Sequence, residues 1–93
     1  KAALDAVTIA LSKEFSGKNI RINSILPGGV ETEGSRSAGF DGSEFIESLI
    51  ANTPLGRAGQ PNDIAKVAVF MASDDAGWIT GEKIAVSGGI YGF

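Results

Sequence analysis

The pattern of apolar and polar residues changes its period along the chain, and each period predicts a different element. Apolar residues at intervals of three and four indicate helices, whereas short apolar runs bounded by glycine or proline indicate strands. In chain order the pattern predicts a helix over Ala2 to Phe15, a strand over Ile20 to Leu26, a short helix over Glu44 to Ala51, a helix that begins at Pro61, and a strand over Lys83 to Ser87.

The first predicted helix is apolar around most of its circumference. Its apolar side chains are Leu4, Val7, Leu11 and Phe15, widened by Ala3, Ala6 and Ala10, and its narrow polar strip is Asp5, Thr8 and Ser12. Such a helix needs cover on two sides to shield its apolar flanks from water. The second cover could be another subunit, or the helix could lie in the middle of a larger core.

Local signals place the ends of the other helices. We expect Gly17 to end the first helix, and a capping box of Asp41 and Glu44 to open the short one. Pro61 suits a first helical position, and Asp63 lies in the first turn, where the helix dipole favours an anion. The buried sides are predicted to be Phe45, Leu49 and Ile46 in the short helix, and Ile64, Val67, Ala68 and Met71 in the next.

Two strands joined by a helical crossover are predicted to be parallel. A parallel sheet is buried on both faces, and two strands are too few to form its centre. We therefore expect residues 1–93 to be the C-terminal portion of one larger α/β domain. The chain also opens on Lys1, with no Met, inside what already reads as a helix.

Composition excludes several classes of function. The 93 residues contain no His and no Cys, so a metal site, a disulfide framework and a thiolate nucleophile are not expected. The net charge is -3 and the basic residues are scattered, so nucleic acid is not an expected partner. No apolar run approaches the ~20 residues that span a bilayer. We expect a cytoplasmic protein without membrane contact.

A turn of Pro27, Gly28 and Gly29 follows the first predicted strand, and a loop rich in glycine and serine runs from Gly28 to Ser43. In open α/β sheets ligands bind beyond the carboxyl ends of the strands. Glycines there would remove side chains that block a ligand from the backbone. Long loops of this kind are usually lids or disordered, and we expect a lid over Gly34 to Ala51 that closes on a ligand. The alternative for the turn is an ordinary Pro-Gly turn.

Four blocks carry a family resemblance: Lys1-Ala2-Ala3-Leu4; Ile20 to Pro27-Gly28; Pro54-Leu55-Gly56-Arg57 to Asp63-Ile64-Ala65; and Ile79-Thr80-Gly81 to Ser87-Gly88-Gly89. In order and spacing they resemble the C-terminal part of the classical short-chain dehydrogenase/reductases. They correspond there to the end of the Tyr-x-x-x-Lys helix, the strand and turn beside the nicotinamide, a helix-opening segment and the last strand. Within the family the chain is similar to 3-oxoacyl-carrier-protein reductases and glucose 1-dehydrogenases.

The resemblance implies a Rossmann-type doubly wound parallel sheet and hydride transfer between NAD or NADP and a carbonyl or secondary alcohol. Lys1, as the motif lysine, would hold the nicotinamide ribose and favour the phenolate of the catalytic tyrosine. The backbone of Val30 would recognise the carboxamide, and the Thr32 hydroxyl the carboxamide or the pyrophosphate. The cofactor-binding residues implied are Lys1, Pro27, Gly28, Gly29, Val30 and Thr32, with Lys1 also catalytic.

Other readings of single residues stay open. Lys1 could be a surface lysine, Val30 a packing residue and Thr32 a turn cap. Structural roles are expected for Asn23, which would pin backbone at the strand end; for Arg57, which would pair with a nearby carboxylate or carbonyl; and for Asp63, as a helix-cap charge. Phe40, Phe45 and Ile46 are candidates for a substrate wall or for ordinary packing. Glu31 and Glu33 flank the lid and could shape substrate preference or be solvated loop charges.

The family's glycine-rich turn, active-site serine and catalytic tyrosine have no counterpart in these residues, and Tyr91 cannot replace the tyrosine. We therefore expect the chain to be inactive alone and to need the rest of its domain. The resemblance further implies a small-molecule substrate and a homo-oligomer, by analogy a tetramer. The alternative is a dinucleotide-binding or interaction module on the same fold that has no chemistry.

Overall fold

A computed structural model describes residues 2–31 and 43–91. In chain order the elements are α1 (Ala2–Phe15), β1 (Ser24–Pro27), α2 (Ser43–Ala51), α3 (Pro61–Ala72) and β2 (Lys83–Val86), with short 3-10 turns at Ser16–Lys18 and Asp74–Ala76. The predicted order of helices and strands is confirmed. Several predictions fall outside the described residues: those for Lys1, Thr32, Glu33, Phe40 and Asp41, and for most of the loop between Gly28 and Ser43.

The strands β1 and β2 are parallel neighbours, as predicted. Ser24 pairs with Lys83 and Pro27 with Val86. The Ser24 N–H donates to the Glu82 carbonyl over 2.9 Å, and the Gly28 N–H donates to the Val86 carbonyl over 3.0 Å. Because the crossover between them carries α2 and α3, the chain has the α/β architecture expected of a Rossmann-type sheet.

The first strand is shorter than predicted, because it begins at Ser24 and not at Ile20. In the preceding residues side chains make most of the contacts, beside one backbone bond from the Gly81 N–H to the Ile22 carbonyl at 2.8 Å. The Ile22 N–H donates to Thr80 Oγ1 over 3.1 Å. Asn23 donates from its amide to the Ile79 carbonyl and accepts the Glu82 N–H at its Oδ1, both at 3.0 Å. Asn23 therefore pins backbone as predicted, but at the amino end of β1.

The helix α1 ends at Phe15, as predicted, but Gly17 does not provide the left-handed residue that reverses the chain. The 3-10 turn Ser16–Lys18 follows the helix directly, and Gly17 lies inside this turn. Asn19 is the residue with left-handed backbone, at φ 57°. Asparagine tolerates this conformation better than other residues with a side chain, and it lets the chain reverse toward β1.

The helix α3 begins as predicted, with Pro61 at its first position and Asp63 in its first turn. Of its predicted buried residues, Ile64, Val67 and Met71 are half-buried, whereas Ala68 is exposed. The opposite end of α3 is held by Arg21, whose guanidinium donates to the carbonyls of Met71 at 2.9 Å and Ser73 at 3.1 Å.

The helix α1 turns its polar strip inward. Thr8 and Ser12 are buried, at 6% and 5% exposure, whereas Leu4 and Val7 are 61% and 51% exposed. The two hydroxyls donate to carbonyls within the helix, Thr8 to Leu4 and Ser12 to Ile9, so their burial leaves no polar group unsatisfied. Leu11 and Phe15 of the apolar stripe are half-buried, so it is the first half of the stripe, Leu4 and Val7, that has little cover from the described residues.

Little of the described chain is fully buried. Ala58 and Ala76 are its buried apolar residues, and no large side chain in residues 2–31 and 43–91 is completely enclosed. The accessible surface is 6498 Å², whereas a folded monomer of 9.5 kDa exposes roughly 5000 Å². None of the helices described is long and apolar enough to cross a membrane.

Candidate functional site

The turn that follows β1 lies beside the end of β2. Gly28, Gly29 and Val30 line one wall of a cavity of about 200 Å³ there. The remaining lining is contributed by Leu55, Arg57, Gly59, Asp63, Ile64, Val86, Ser87 and Gly88. Small-molecule sites usually enclose about 300–1000 Å³, so this cavity is too small to hold a dinucleotide by itself.

The two glycines of the turn are required by packing within the chain. A Cβ built on Gly28 would lie 2.7 Å from the Ser87 Cα, and one built on Gly29 would overlap the side chain of Leu49. Their missing side chains let β2 and α2 approach the turn closely. This packing role is additional to the ligand access predicted from the sequence, which stays a prediction.

Beyond the glycines, the chain pairs with a second loop through Gly59. The Gly59 N–H donates to the Gly29 carbonyl over 2.8 Å, and the Glu31 N–H donates to the Gly59 carbonyl over 2.9 Å. In this parallel bridge Gly59 uses both of its backbone groups, while those of Val30 point to the opposite edge. Within the described residues the Val30 N–H and C=O make no hydrogen bond.

An ion pair fixes the loop that contains Gly59. The Arg57 guanidinium donates twice to the Asp63 carboxylate, at 2.9 and 3.1 Å. Arg57 also donates to the Ala58 carbonyl at 3.1 Å, and Asp63 accepts the Gln60 N–H at 2.7 Å. The hydrogen bonds from Arg57, followed by that from Gln60, lower the pKa of Asp63 to about 2. The predicted local pairing of Arg57 is therefore confirmed.

Of the predicted cofactor-binding residues, Gly28, Gly29 and Val30 line this cavity, and Pro27 precedes them as the last residue of β1. The other two, Lys1 and Thr32, lie outside the described residues. The substrate-wall candidates Phe45 and Ile46 belong to α2, where Phe45 is 49% exposed. Sequence reasoning missed Gly59, although the block from Leu55 to Ala65 contains it; a bridge between distant loops has no local signature.

Comparison with known proteins places the chain in a family. The family model described as enoyl-(acyl carrier protein) reductase matches residues 1–91. The chain is 53% identical over 90 residues to an uncharacterised oxidoreductase of Methylorubrum extorquens, covering 97% of this chain and 36% of that protein. It is 41% identical over 90 residues to a 3-oxoacyl-[acyl-carrier-protein] reductase of Chlamydia trachomatis, covering 97% and 35%. The chain thus spans about a third of the length of these relatives.

Its fold matches solved structures as well. A crystal structure described as an NAD(P)-dependent gluconate 5-dehydrogenase from Beutenbergia cavernae, with NADP bound at low occupancy, superposes with a TM-score of 0.88. The two are 34% identical, and the match covers all of this chain and 37% of the other. The fold, the parallel strand pairing and the family match over nearly the whole length agree. The chain therefore belongs to the short-chain dehydrogenase/reductase family of oxidoreductases.

Proposed function

We propose that the chain is one part of a single NAD(P)-binding domain that transfers a hydride between a nicotinamide cofactor and a carbonyl or secondary alcohol of a small molecule. The chain spans about a third of its relatives, so the activity belongs to the whole domain. Related proteins are named as oxidoreductases, and one solved relative holds NADP. Both facts support the proposal.

The observation that carries the proposal is the backbone of Val30, whose N–H and C=O pair with none of the described residues. A nicotinamide carboxamide has one N–H₂ donor and one carbonyl acceptor, and Val30 offers a C=O and an N–H on one edge of the chain. Pairing of this kind would fix which face of the ring meets the substrate. The chemical composition of the site therefore fits the cofactor that the family implies.

The other residues have supporting roles in this proposal. Bound NAD(P) would supply the hydride donor or acceptor. Pro27, Gly28 and Gly29 would lie beside the ring at the carboxyl end of β1, where α/β sheets bind ligands. Lys1 would hold the ribose hydroxyls and favour the phenolate of a tyrosine that exchanges the substrate proton. Thr32 would donate to the carboxamide or the pyrophosphate.

The apolar stripe of α1 bears on the partners of the protein. Leu4 and Val7 are more than half exposed among the described residues, so we assign their cover to the remainder of the domain or to a second copy in a homo-oligomer. Size measurement of the intact protein tests the second of these. A tetramer or dimer supports it, and a monomer over the working concentration range contradicts it.

The proposed chemistry is tested first at the gene. A tyrosine four positions before Lys1 is required, and any other residue there contradicts hydride transfer by this mechanism. In the intact protein, NADH or NADPH binding followed by oxidation with a carbonyl substrate supports the proposal. Binding without turnover across a broad carbonyl panel would favour the non-catalytic alternative. Thr32→Val should weaken cofactor binding by about 1 kcal/mol through one lost hydrogen bond, and an unchanged dissociation constant removes Thr32 from the site.

A further inference from the structure

Gly59 is the contact that fixes the direction of the Val30 backbone. Its N–H and C=O bond to Gly29 and Glu31, the two residues that flank Val30. Since neighbouring residues of an extended chain point their backbone groups to opposite edges, this pairing sets the edge on which the Val30 N–H and C=O lie. A shift of Gly59 would therefore turn the Val30 groups.

Gly59 itself has no side chain with which to hold its place, and both of its neighbours are held by one ion pair. Arg57 donates to the Ala58 carbonyl on one side. Asp63 accepts the Gln60 N–H on the other, at 2.7 Å. The two charged groups are joined to each other by two hydrogen bonds, so the loop is closed around Gly59.

The ion pair is exposed, with 58% of the Arg57 side chain and 34% of the Asp63 side chain accessible. Exposed pairs of this kind contribute little to global stability, so stability alone does not account for the geometry. A bidentate guanidinium–carboxylate pair does hold a fixed direction. The main effect of this ion pair is therefore to hold the loop around Gly59 in one position.

We propose that Arg57 and Asp63 are positioning residues, which hold Gly59 against the Gly29–Glu31 segment and thereby aim the Val30 N–H and C=O at the nicotinamide. This inference rests on the proposed function, because it gives the Val30 backbone a ligand. Neither side chain touches the cofactor in this proposal. Both act through Gly59.

The test compares two ligands in the intact protein. NADH or NADPH carries the nicotinamide, whereas ADP-ribose, or its 2′-phosphate for an NADP-preferring protein, lacks it. Arg57→Gln should raise the dissociation constant of the reduced dinucleotide on the order of tenfold and leave that of the ADP-ribose probe within about twofold. Arg57→Lys keeps the charge but loses the bidentate geometry, and should give an intermediate value.

A matched control is the ion pair of Lys83 and Asp5, at 3.3 Å, at the opposite end of β2 from the turn. Lys83→Gln should leave both dissociation constants unchanged. A second readout needs no ligand: hydrogen exchange at the Gly59 and Glu31 amides should quicken in Arg57→Gln and stay the same in Lys83→Gln.

The outcomes separate the two proposals. If Arg57→Gln raises the dissociation constants of both ligands equally, or changes neither, the positioning role is overturned and the proposed function is left intact. Unchanged exchange at Gly59 and Glu31 overturns it as well. Two results with the wild-type protein would overturn recognition of the nicotinamide by Val30, and with it the proposed function. One is equal affinity for the ADP-ribose probe and the reduced dinucleotide, and the other is binding of neither.

Discussion

Gly28 lies against the backbone of Ser87, so closely that a Cβ on Gly28 would be 2.7 Å from the Ser87 Cα and 2.9 Å from its carbonyl oxygen. Gly29 faces Leu49 instead, whose side-chain end can rotate away. The two contacts differ in how far the neighbour can yield, and this difference gives a ranked prediction.

Gly28→Ala should lower the free energy of unfolding of the intact protein by about 3 kcal/mol, because strand β2 would have to move. Gly29→Ala should cost about 1 kcal/mol, since the Leu49 side chain can adjust. Gly17→Ala is the control, with no atom within 4 Å of the new methyl group, and should stay within about 0.5 kcal/mol of wild type. Urea unfolding measures all three, and equal effects at Gly28 and Gly17 would contradict the packing argument.

Arg21 should be sensitive even to lysine. Its guanidinium reaches the carbonyls of Met71 and Ser73 on two nitrogens, and that of Ile79 at 3.4 Å. A single ammonium cannot span these acceptors, so Arg21→Lys should destabilise the protein by about 1–3 kcal/mol. Thermal or urea unfolding checks this, with the exposed Lys13→Gln as control. Equal stability of Arg21→Lys and wild type would refute the capping role.

A small part of the stability should depend on Asp63 in acid, since its ion pair with Arg57 is exposed to solvent. Hydrogen bonds from Arg57 and then Gln60 lower the Asp63 pKa from 3.8 to about 2. A carboxyl with a lowered folded-state pKa stabilises the fold above its unfolded pKa, and loses that contribution as pH falls. The stability difference between wild type and Asp63→Asn should therefore be constant above about pH 5 and shrink between pH 4 and 2. Urea midpoints against pH measure it, and a difference independent of pH over this range would contradict the pairing.

The 93-residue chain in isolation should not behave as a well-packed protein. Leu4, Val7 and Leu55 are 61%, 51% and 72% exposed, and apolar surface on this scale promotes association or loose packing. We expect the isolated chain to bind a hydrophobic dye such as ANS, to melt without a sharp transition, and to aggregate or depend on a partner. A cooperative melt of a soluble monomer would show the expectation to be wrong.

Features with local causes were predictable from the sequence. Proline at the first position of α3 and the anion in its first turn follow from helix-end chemistry. Arg57 and the carboxylate it pairs with are only six residues apart along the chain, so their pairing is a local event. The parallel direction of the strands follows from the helical crossover between them.

Features set by distant contacts were not predictable. Ile22 has the pattern of a strand residue, but its N–H bonds to the Thr80 hydroxyl. In α1 the narrow polar strip with Thr8 and Ser12 faces the rest of the described chain. This orientation is the reverse of the one that apolar periodicity favours. The bridge through Gly59 joins loops about 30 positions apart, and no motif in either loop indicates the other.

The parallel pairing of β1 and β2 has a consequence for the order of events during folding. Asn23 and Glu82, which join the amino ends of the two strands, are 59 positions apart. A hairpin can zip up from its turn, but this pair must first close a long loop that contains α2 and α3. Such nonlocal closure slows folding. The helices are therefore expected to form ahead of the sheet. Because closure of the strand pair is then the slow step, mutations that weaken this pair should lower the folding rate more than they raise the unfolding rate.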